Sequence, residues 1–220
     1  MIDIINVQKT PYLLNITKPA ATKTVIFSHG FLSNKNRPYI TSTATTLKKA
    51  GIKSVRFNYR TELVSERRAI LHQVIRHVSK ESNSIGLVGH SLGGLITLLE
   101  ANNPLIKSIA LINTVYNPPA VIKRYENKHR VIANLLINKL KTELIKHDLR
   151  SIAKTITKPV LVISSERDQL TLPSEMKQLY LDVKGPKKLV TLKKCAHSIW
   201  NPVHVQRVKD ELREWFKETL

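Results

Sequence analysis

Gly89-His90-Ser91-Leu92-Gly93-Gly94 is the stretch of this 220-residue chain whose residue types and spacing are best suited to chemistry. A serine hydroxyl becomes a useful nucleophile when a neighbouring base takes its proton. Ile85-Gly86-Leu87-Val88 leads into the serine as a short apolar segment suited to a buried strand. Leu95-Ile96-Thr97-Leu98-Leu99 leads out of it without proline or glycine, as a helix would. Ser91 would then sit on a strained strand-to-helix turn. Side chains two residues away on either side would collide there, which accounts for Gly89 and Gly93. The turn also places Ser91 at the positive end of a helix, where negative charge developing on a substrate oxygen is stabilised.

The base expected for such a serine is a histidine, held in one tautomer by a carboxylate. Of the eight histidines, His197 stands apart. It lies in Lys194-Cys195-Ala196-His197-Ser198, a short polar loop after the last apolar strand and before the final helical stripe. His72 and His77 fall within a helical pattern, His129 and His147 in a second one, and His204 opens the last helix. His90 is expected to flank the serine with its side chain turned away. For the carboxylate, Ser165-Glu166-Arg167-Asp168-Gln169 follows an apolar strand, and Asp168 sits just past that strand's C-terminal end. Open α/β sheets place their sites at that edge. Glu166 is the competitor, and Asp168 could instead cap the helix that Pro173 opens; Asp168 is preferred as the partner of His197. Cys195 has no strand-turn-helix around it and is not expected to be a nucleophile.

These residues need a scaffold, and the chain supplies one in alternating pieces. Ile2–Val7 and Tyr12–Ile16 are expected to form an entry hairpin. Strands follow at Thr24–Ser28, Ile52–Tyr59, Ile85–Val88, Ser108–Asn113, Pro159–Ser164 and Lys188–Leu192. Between them run amphipathic stripes, among them Ile40, Ala44 and Leu47, then Ile70, Leu71, Val74, Ile75 and Val78, and finally Val205, Val208, Leu212, Trp215 and Phe216. Such alternation implies a mostly parallel sheet covered by helices on both faces, within one domain spanning 1–220. Residues 114–154 interrupt the rhythm with Asn117-Pro118-Pro119 and a helical region carrying Ile132, Leu135, Leu136, Leu140 and Leu144. A structureless loop of that length is uncommon, so a small helical lid is expected there.

Bulk properties narrow the classes. Hydrophobic residues make up 42% and charged residues 24%, as in ordinary globular proteins. No apolar run approaches a membrane span, and the N-terminus lacks a basic start followed by a long apolar run. The single cysteine excludes an internal disulfide and suits a reducing compartment, so a cytoplasmic location is expected. The formal charge of +20 would attract anionic partners. Yet the basic residues are dispersed, without long runs or interleaved aromatics, so no dedicated nucleic-acid site is expected. Residues 114–154 hold nine Lys/Arg against three Asp/Glu, a balance of +6. A proportional share of the total would be between +3 and +4, so this region is only mildly enriched. No zinc-ligand spacing or phosphate-binding loop is present, and no metal or cofactor is expected.

The order Ser91, Asp168, His197, with His29-Gly30 after an early strand, resembles the α/β-hydrolase family from about Thr24 to Leu220. The resemblance implies a three-layer fold with a mainly parallel eight-stranded sheet whose first strands are antiparallel. It also implies a Ser91 nucleophile, a His197 base and an Asp168 acid. Backbone N–H groups of Phe31 and Leu92 are implied as the oxyanion hole. Leu32 and Trp200, with Phe31, are candidates for the substrate pocket. The expected activity is hydrolysis of a carboxylic ester or thioester through an acyl-enzyme, on a small molecule that the charge suggests is anionic or a lipid. Transient contact with an anionic membrane fits the same charge. A different class, a non-catalytic or acyl-transferring protein on this scaffold whose basic surface binds an anionic partner, is the alternative. One departure from the pattern is the short Asn58-Tyr59-Arg60-Thr61-Glu62 connection, expected to remove one wall of the pocket.

Overall fold

β-branched runs of six to eight residues become strands because their stiff side chains pack well on a pleated, buried surface. The computed structural model describes residues 2–7, 10–17, 22–128 and 133–220, with side chains over 22–128 and 138–220. The strands are β1 (Ile2–Val7), β2 (Thr10–Thr17), β3 (Lys23–Ser28), β4 (Lys53–Arg56), β5 (Ser84–His90), β6 (Ile106–Ile112), β7 (Val160–Ser165) and β8 (Lys187–Leu192). The sheet order is β1-β2-β4-β3-β5-β6-β7-β8. The six strands from β3 to β8 are all mutually parallel, as the alternating pattern requires. At one edge, β2 pairs antiparallel with β4 and with β1, so of the first two strands only β2 runs against the rest.

The helices are α1 (Pro38–Lys49), α2 (Val64–Val78), α3 (Leu92–Leu99), α4 (Pro118–Lys128), α5 (Ala133–Leu144), α6 (Leu149–Thr155), α7 (Pro173–Asp182) and α8 (Pro202–Thr219). Side chains along a strand point alternately to opposite faces, and the core divides accordingly. Ile26, Val55, Leu87, Ile109 and Val162 pack with α2, α3 and α7, while Val25, Phe27, Val88, Ala110 and Ile163 pack with α1 and α8. Among the described residues no helix is long and apolar enough to cross a membrane.

One expectation about a segment changes. The strand expected over Ile52–Tyr59 ends at Arg56. The polar connection beyond it turns under the loop after β3: the Tyr59 N–H donates to His29 Nε2 at 3.1 Å, and the Lys35 N–H donates to Asn58 Oδ1 at 2.8 Å. Within 114–154 the structure places α4, α5 and α6; His129 and Ile132 lie outside the described residues. Leu149 and Ala153 of α6 share a buried core with Val121 of α4 and Leu140 and Leu144 of α5, and α6 packs against α3 and α7. α5 is tied to the start of α2, where the Ser65 N–H and hydroxyl each donate to the Glu143 carboxylate at 2.9 Å.

Strand register places the chemistry. Ser28 stands opposite Gly89, His90 opposite Ile112, Ile112 opposite Ile163 and Ser165 opposite Leu192. The loops carrying Gly30, Ser91, Asn113, Asp168 and His197 therefore leave the sheet along one edge. The close crossing beneath that edge depends on Gly93. A Cβ there would stand 2.1 Å from the Ser28 carbonyl oxygen and 2.6 Å from that of His29, both backbone atoms that cannot swing aside. Gly93→Ala is expected to cost about 2–4 kcal/mol, by the strain of an overpacked core. A urea melt checks this; an unchanged midpoint would show that the crossing tolerates a methyl group.

Candidate active site

Ser91 occupies the turn between β5 and α3 with φ 55° and ψ −120°. A positive φ is uncommon for a residue with a Cβ, and such strain persists only where the surroundings impose it. Here the Ser91 N–H donates to the Ile112 carbonyl at 3.0 Å, and its carbonyl accepts the Val115 N–H at 3.2 Å. Leu32 and Asn113, in the loops after β3 and β6, also have positive φ, 45° and 42°.

Beside the serine the structure brings together three of the residues singled out in the sequence. His197 Nδ1 lies 2.7 Å from Asp168 Oδ2, and His197 Nε2 lies 3.0 Å from Ser91 Oγ. An ionised carboxylate only accepts, so Nδ1 carries the ring proton and the Nε2 lone pair faces the serine hydroxyl. Burial alone would push the Asp168 carboxyl up. Its bonds to the His197 ring, the Thr171 hydroxyl and the Leu170 N–H outweigh burial and hold it below the ordinary carboxylate range. Glu166 does not join them: it accepts from Lys193 Nζ at 2.9 Å and the Lys194 N–H at 2.8 Å, away from His197. Nor does Asp168 cap α7, whose N-cap position is Leu172.

Several supporting residues were not singled out from sequence. Thr171 Oγ1 donates to Asp168 Oδ2 at 2.7 Å and lies 3.3 Å from His197 Nδ1. Asn113 donates through Nδ2 to the His197 carbonyl at 2.9 Å and to Ser165 Oγ at 2.9 Å, and accepts the Ser165 N–H at 2.8 Å. The His90 side chain is not turned away from the site. Its Nε2–H donates to the His197 carbonyl at 3.2 Å, and its ring lies 5.2 Å from that of His197. Burial, reinforced by the nearby His197, lowers the His90 pKa to about 3, so it is a neutral prop. His29 is likewise lowered to about 4, by burial and by the charge of Arg67. Asn113 and Thr171 had one available signal: both directly follow strands or turns at the C-terminal edge.

A cavity of about 600 Å³ opens at Ser91 and His197, in the range of ligand pockets. Phe31, Leu32 and Leu92 line it on the serine side, and Val121, Ile122, Tyr125, Leu140 and Leu144 line it from α4 and α5. Trp200 is not part of it. It lines a separate notch of about 60 Å³ on the other flank of Ser91, where it is 55% exposed and stacks on the Arg37 guanidinium at 4.5 Å. The reason is topological: Trp200 follows His197 toward α8, which packs on the sheet face with α1. Among the described residues no cluster of three or more His, Cys, Asp or Glu side chains could hold a metal ion.

A hydroxyl aimed at an imidazole that is itself bonded to a buried carboxylate is an arrangement for nucleophilic attack with proton transfer. No protein-family model matches the sequence, and no curated protein matches it either. Solved structures do. Est1E from Butyrivibrio proteoclasticus is 18% identical with a TM-score of 0.85, covering 99% of this chain and 98% of that one. The same protein is also known with ferulic acid bound. The Pyrococcus furiosus esterase Pf2001 is 18% identical at a TM-score of 0.81, covering 100% and 92%. The mouse α/β hydrolase domain-containing protein 10 is 17% identical at 0.82, covering 99% of each chain. The chain has the α/β-hydrolase fold.

Proposed function

We propose that this protein is a serine hydrolase acting on carboxylic esters or thioesters through an acyl-enzyme. The observation that carries the reading is the continuous Ser91–His197–Asp168 hydrogen-bond chain opening onto a largely apolar cavity. The esterase Pf2001 among the structural neighbours supports the same reaction class. In the first half-reaction Ser91 Oγ attacks the carbonyl carbon while its proton passes to His197 Nε2. Asp168 stabilises the resulting imidazolium without taking its proton. The new oxyanion is held by backbone N–H groups. That of Leu92 is free of an intrahelical partner because it opens α3, and the second donor in this reading is the Phe31 N–H, in the loop after β3. Collapse of the adduct expels the alcohol or thiol, which takes the proton from His197. Water then repeats the sequence on the acyl-serine and releases the acid. α4 and α5 act as the lid over the acyl chain. The lone cysteine supports a reducing, cytoplasmic setting.

The test is turnover of p-nitrophenyl esters from acetate to palmitate, with methyl ferulate included, alongside labelling by a fluorophosphonate probe. An apolar cavity gains about 0.8 kcal/mol per buried methylene. The value of kcat/KM should therefore rise roughly fourfold per added carbon until the cavity is filled, then fall toward palmitate. No turnover on any ester together with no labelling would remove this reading and favour a binding role for the basic surface.

A further inference from the structure

The loop after β3 rests on a buried cation that the reaction scheme above does not use. Arg67 on α2 has a side-chain exposure of 0%. Its Nη1 donates to the His29 carbonyl at 3.1 Å and to the Gly30 carbonyl at 3.3 Å, and Nη2 reaches the Gly30 carbonyl at 3.4 Å. Its Nε donates to the Thr61 carbonyl at 2.8 Å, and Nη2 to Glu62 Oε2 at 2.5 Å. Glu62 accepts the Leu32 N–H at 3.3 Å, and the Tyr59 ring lies under the guanidinium at 4.5 Å. Burying a guanidinium is costly unless it is paired and hydrogen-bonded. These partners belong either to residues 29–32 or to the short connection at 59–62 beneath them.

The geometry of one peptide group gives this clamp a chemical consequence. The Gly30 carbonyl and the Phe31 N–H belong to the same unit, which is planar and trans, so the two point in opposite directions. Arg67 grips the carbonyl end, and His29 Nδ1–H adds a third donor at 2.9 Å. Donors on a carbonyl oxygen polarise the amide and strengthen its N–H as a donor in turn. The loop also touches the serine closely: a Cβ on Gly30 would stand 3.1 Å from Ser91 Cβ.

Resting on the serine-hydrolase reading above, we propose that Arg67, held by Glu62, is a positioning residue for the oxyanion. It fixes and polarises the Gly30–Phe31 peptide so that the Phe31 N–H faces the oxygen that becomes negative when Ser91 attacks. Arg67 touches neither substrate nor reacting atoms, so its contribution belongs to the transition state and leaves ground-state binding alone.

The experiment measures kcat, KM and the inhibition constant of butylboronic acid for wild type, Arg67→Met, Arg67→Lys and Glu62→Gln, with p-nitrophenyl butyrate as substrate. The boronate forms a tetrahedral adduct on the serine and so reports on the oxyanion site. Removing a whole oxyanion donor costs about 10²–10³ in kcat. Weakening one by Arg67→Met should therefore cost roughly ten- to a hundredfold in kcat, with KM within about twofold and boronate affinity falling by the same factor. Arg67→Lys should recover part of the loss in both kcat and boronate affinity. Should Arg67→Met not fold, the Lys and Gln variants carry the test. Folded variants with wild-type kcat and boronate affinity overturn the proposal, as does a fall in kcat without a fall in boronate affinity. A wild type that neither turns over esters nor labels with fluorophosphonate removes instead the hydrolase reading beneath it.

Discussion

Ser91→Ala and His197→Ala should each lower kcat on p-nitrophenyl butyrate by about 10⁴-fold or more, and the double variant should lose no more than either alone. On the proposed mechanism the two side chains perform one act. Without the imidazole lone pair 3.0 Å away, the serine proton has nowhere to go; without the hydroxyl, the base has nothing to activate. Groups that work as a unit are strongly non-additive, and what survives is the contribution of the oxyanion donors and binding. Substrate affinity should persist, because the apolar lining supplied by α4 and α5 is untouched. Steady-state kinetics on the three variants, with circular dichroism to confirm folding, decide the matter. Full additivity in the double variant, or a His197→Ala enzyme retaining roughly a tenth of wild-type kcat, would mean that the imidazole is not the base. Asp168→Asn should fall in the same range. An amide can donate to Nδ1 and turn the ring into the wrong tautomer.

Loss of stability on mild acidification is the second large effect expected. His29 and His90 are both buried and neutral, with pKa values lowered to about 4 and about 3. His29 donates to the Gly30 carbonyl and accepts from the Tyr59 N–H, beside Arg67 and Arg37. His90 faces His197, Asp168, Arg37 and the Tyr39 ring. In the unfolded chain each imidazole binds a proton near pH 6.5, whereas the folded chain resists until near pH 4 and 3. Between these limits the unfolded state holds more protons, so stability is complete above pH 6.5 and declines as the pH falls. Each group contributes a slope of about 1.4 kcal/mol per pH unit once well inside the window. The two together approach roughly 5 kcal/mol between pH 6.5 and 4.5. Urea midpoints across that range measure the effect. His90→Gln, which keeps a donor for the His197 carbonyl, should flatten the slope by about half. A midpoint that does not move from pH 6.5 to 4.5 would show that neither imidazole is held neutral.

Much of the architecture was legible because its causes are local. The apolar alternation of Thr24–Ser28 and the stripe Ile70, Leu71, Val74, Ile75 and Val78 reflect the periods of a strand and a helix, and both elements form where those periods place them. Gly89 was legible for a similar reason: a Cβ there would stand 2.5 Å from the Gly93 carbonyl oxygen, within the same turn. The end of β4 was not, because Phe57 to Tyr59 carry a strand-like composition but are claimed by the loop after β3. The orientation of His90 was also out of reach, since its partner lies 107 residues away.

The sequence by itself therefore determined the element types, the alternation that makes the sheet parallel, and the strand ends from which Ser91, Asp168 and His197 project. Backbone sterics and hydrophobic periodicity act within a few residues, and such information survives in a linear string. Only the tertiary structure decided which side chains meet. Strand order and register bring five loops to one edge. That edge seats Asp168 rather than Glu166 on His197, puts Trp200 across the serine from the large cavity, and sets Arg67 beneath Gly30. A buried polar side chain must be satisfied by whatever the fold places opposite it, and that identity is set by the assembly of the sheet.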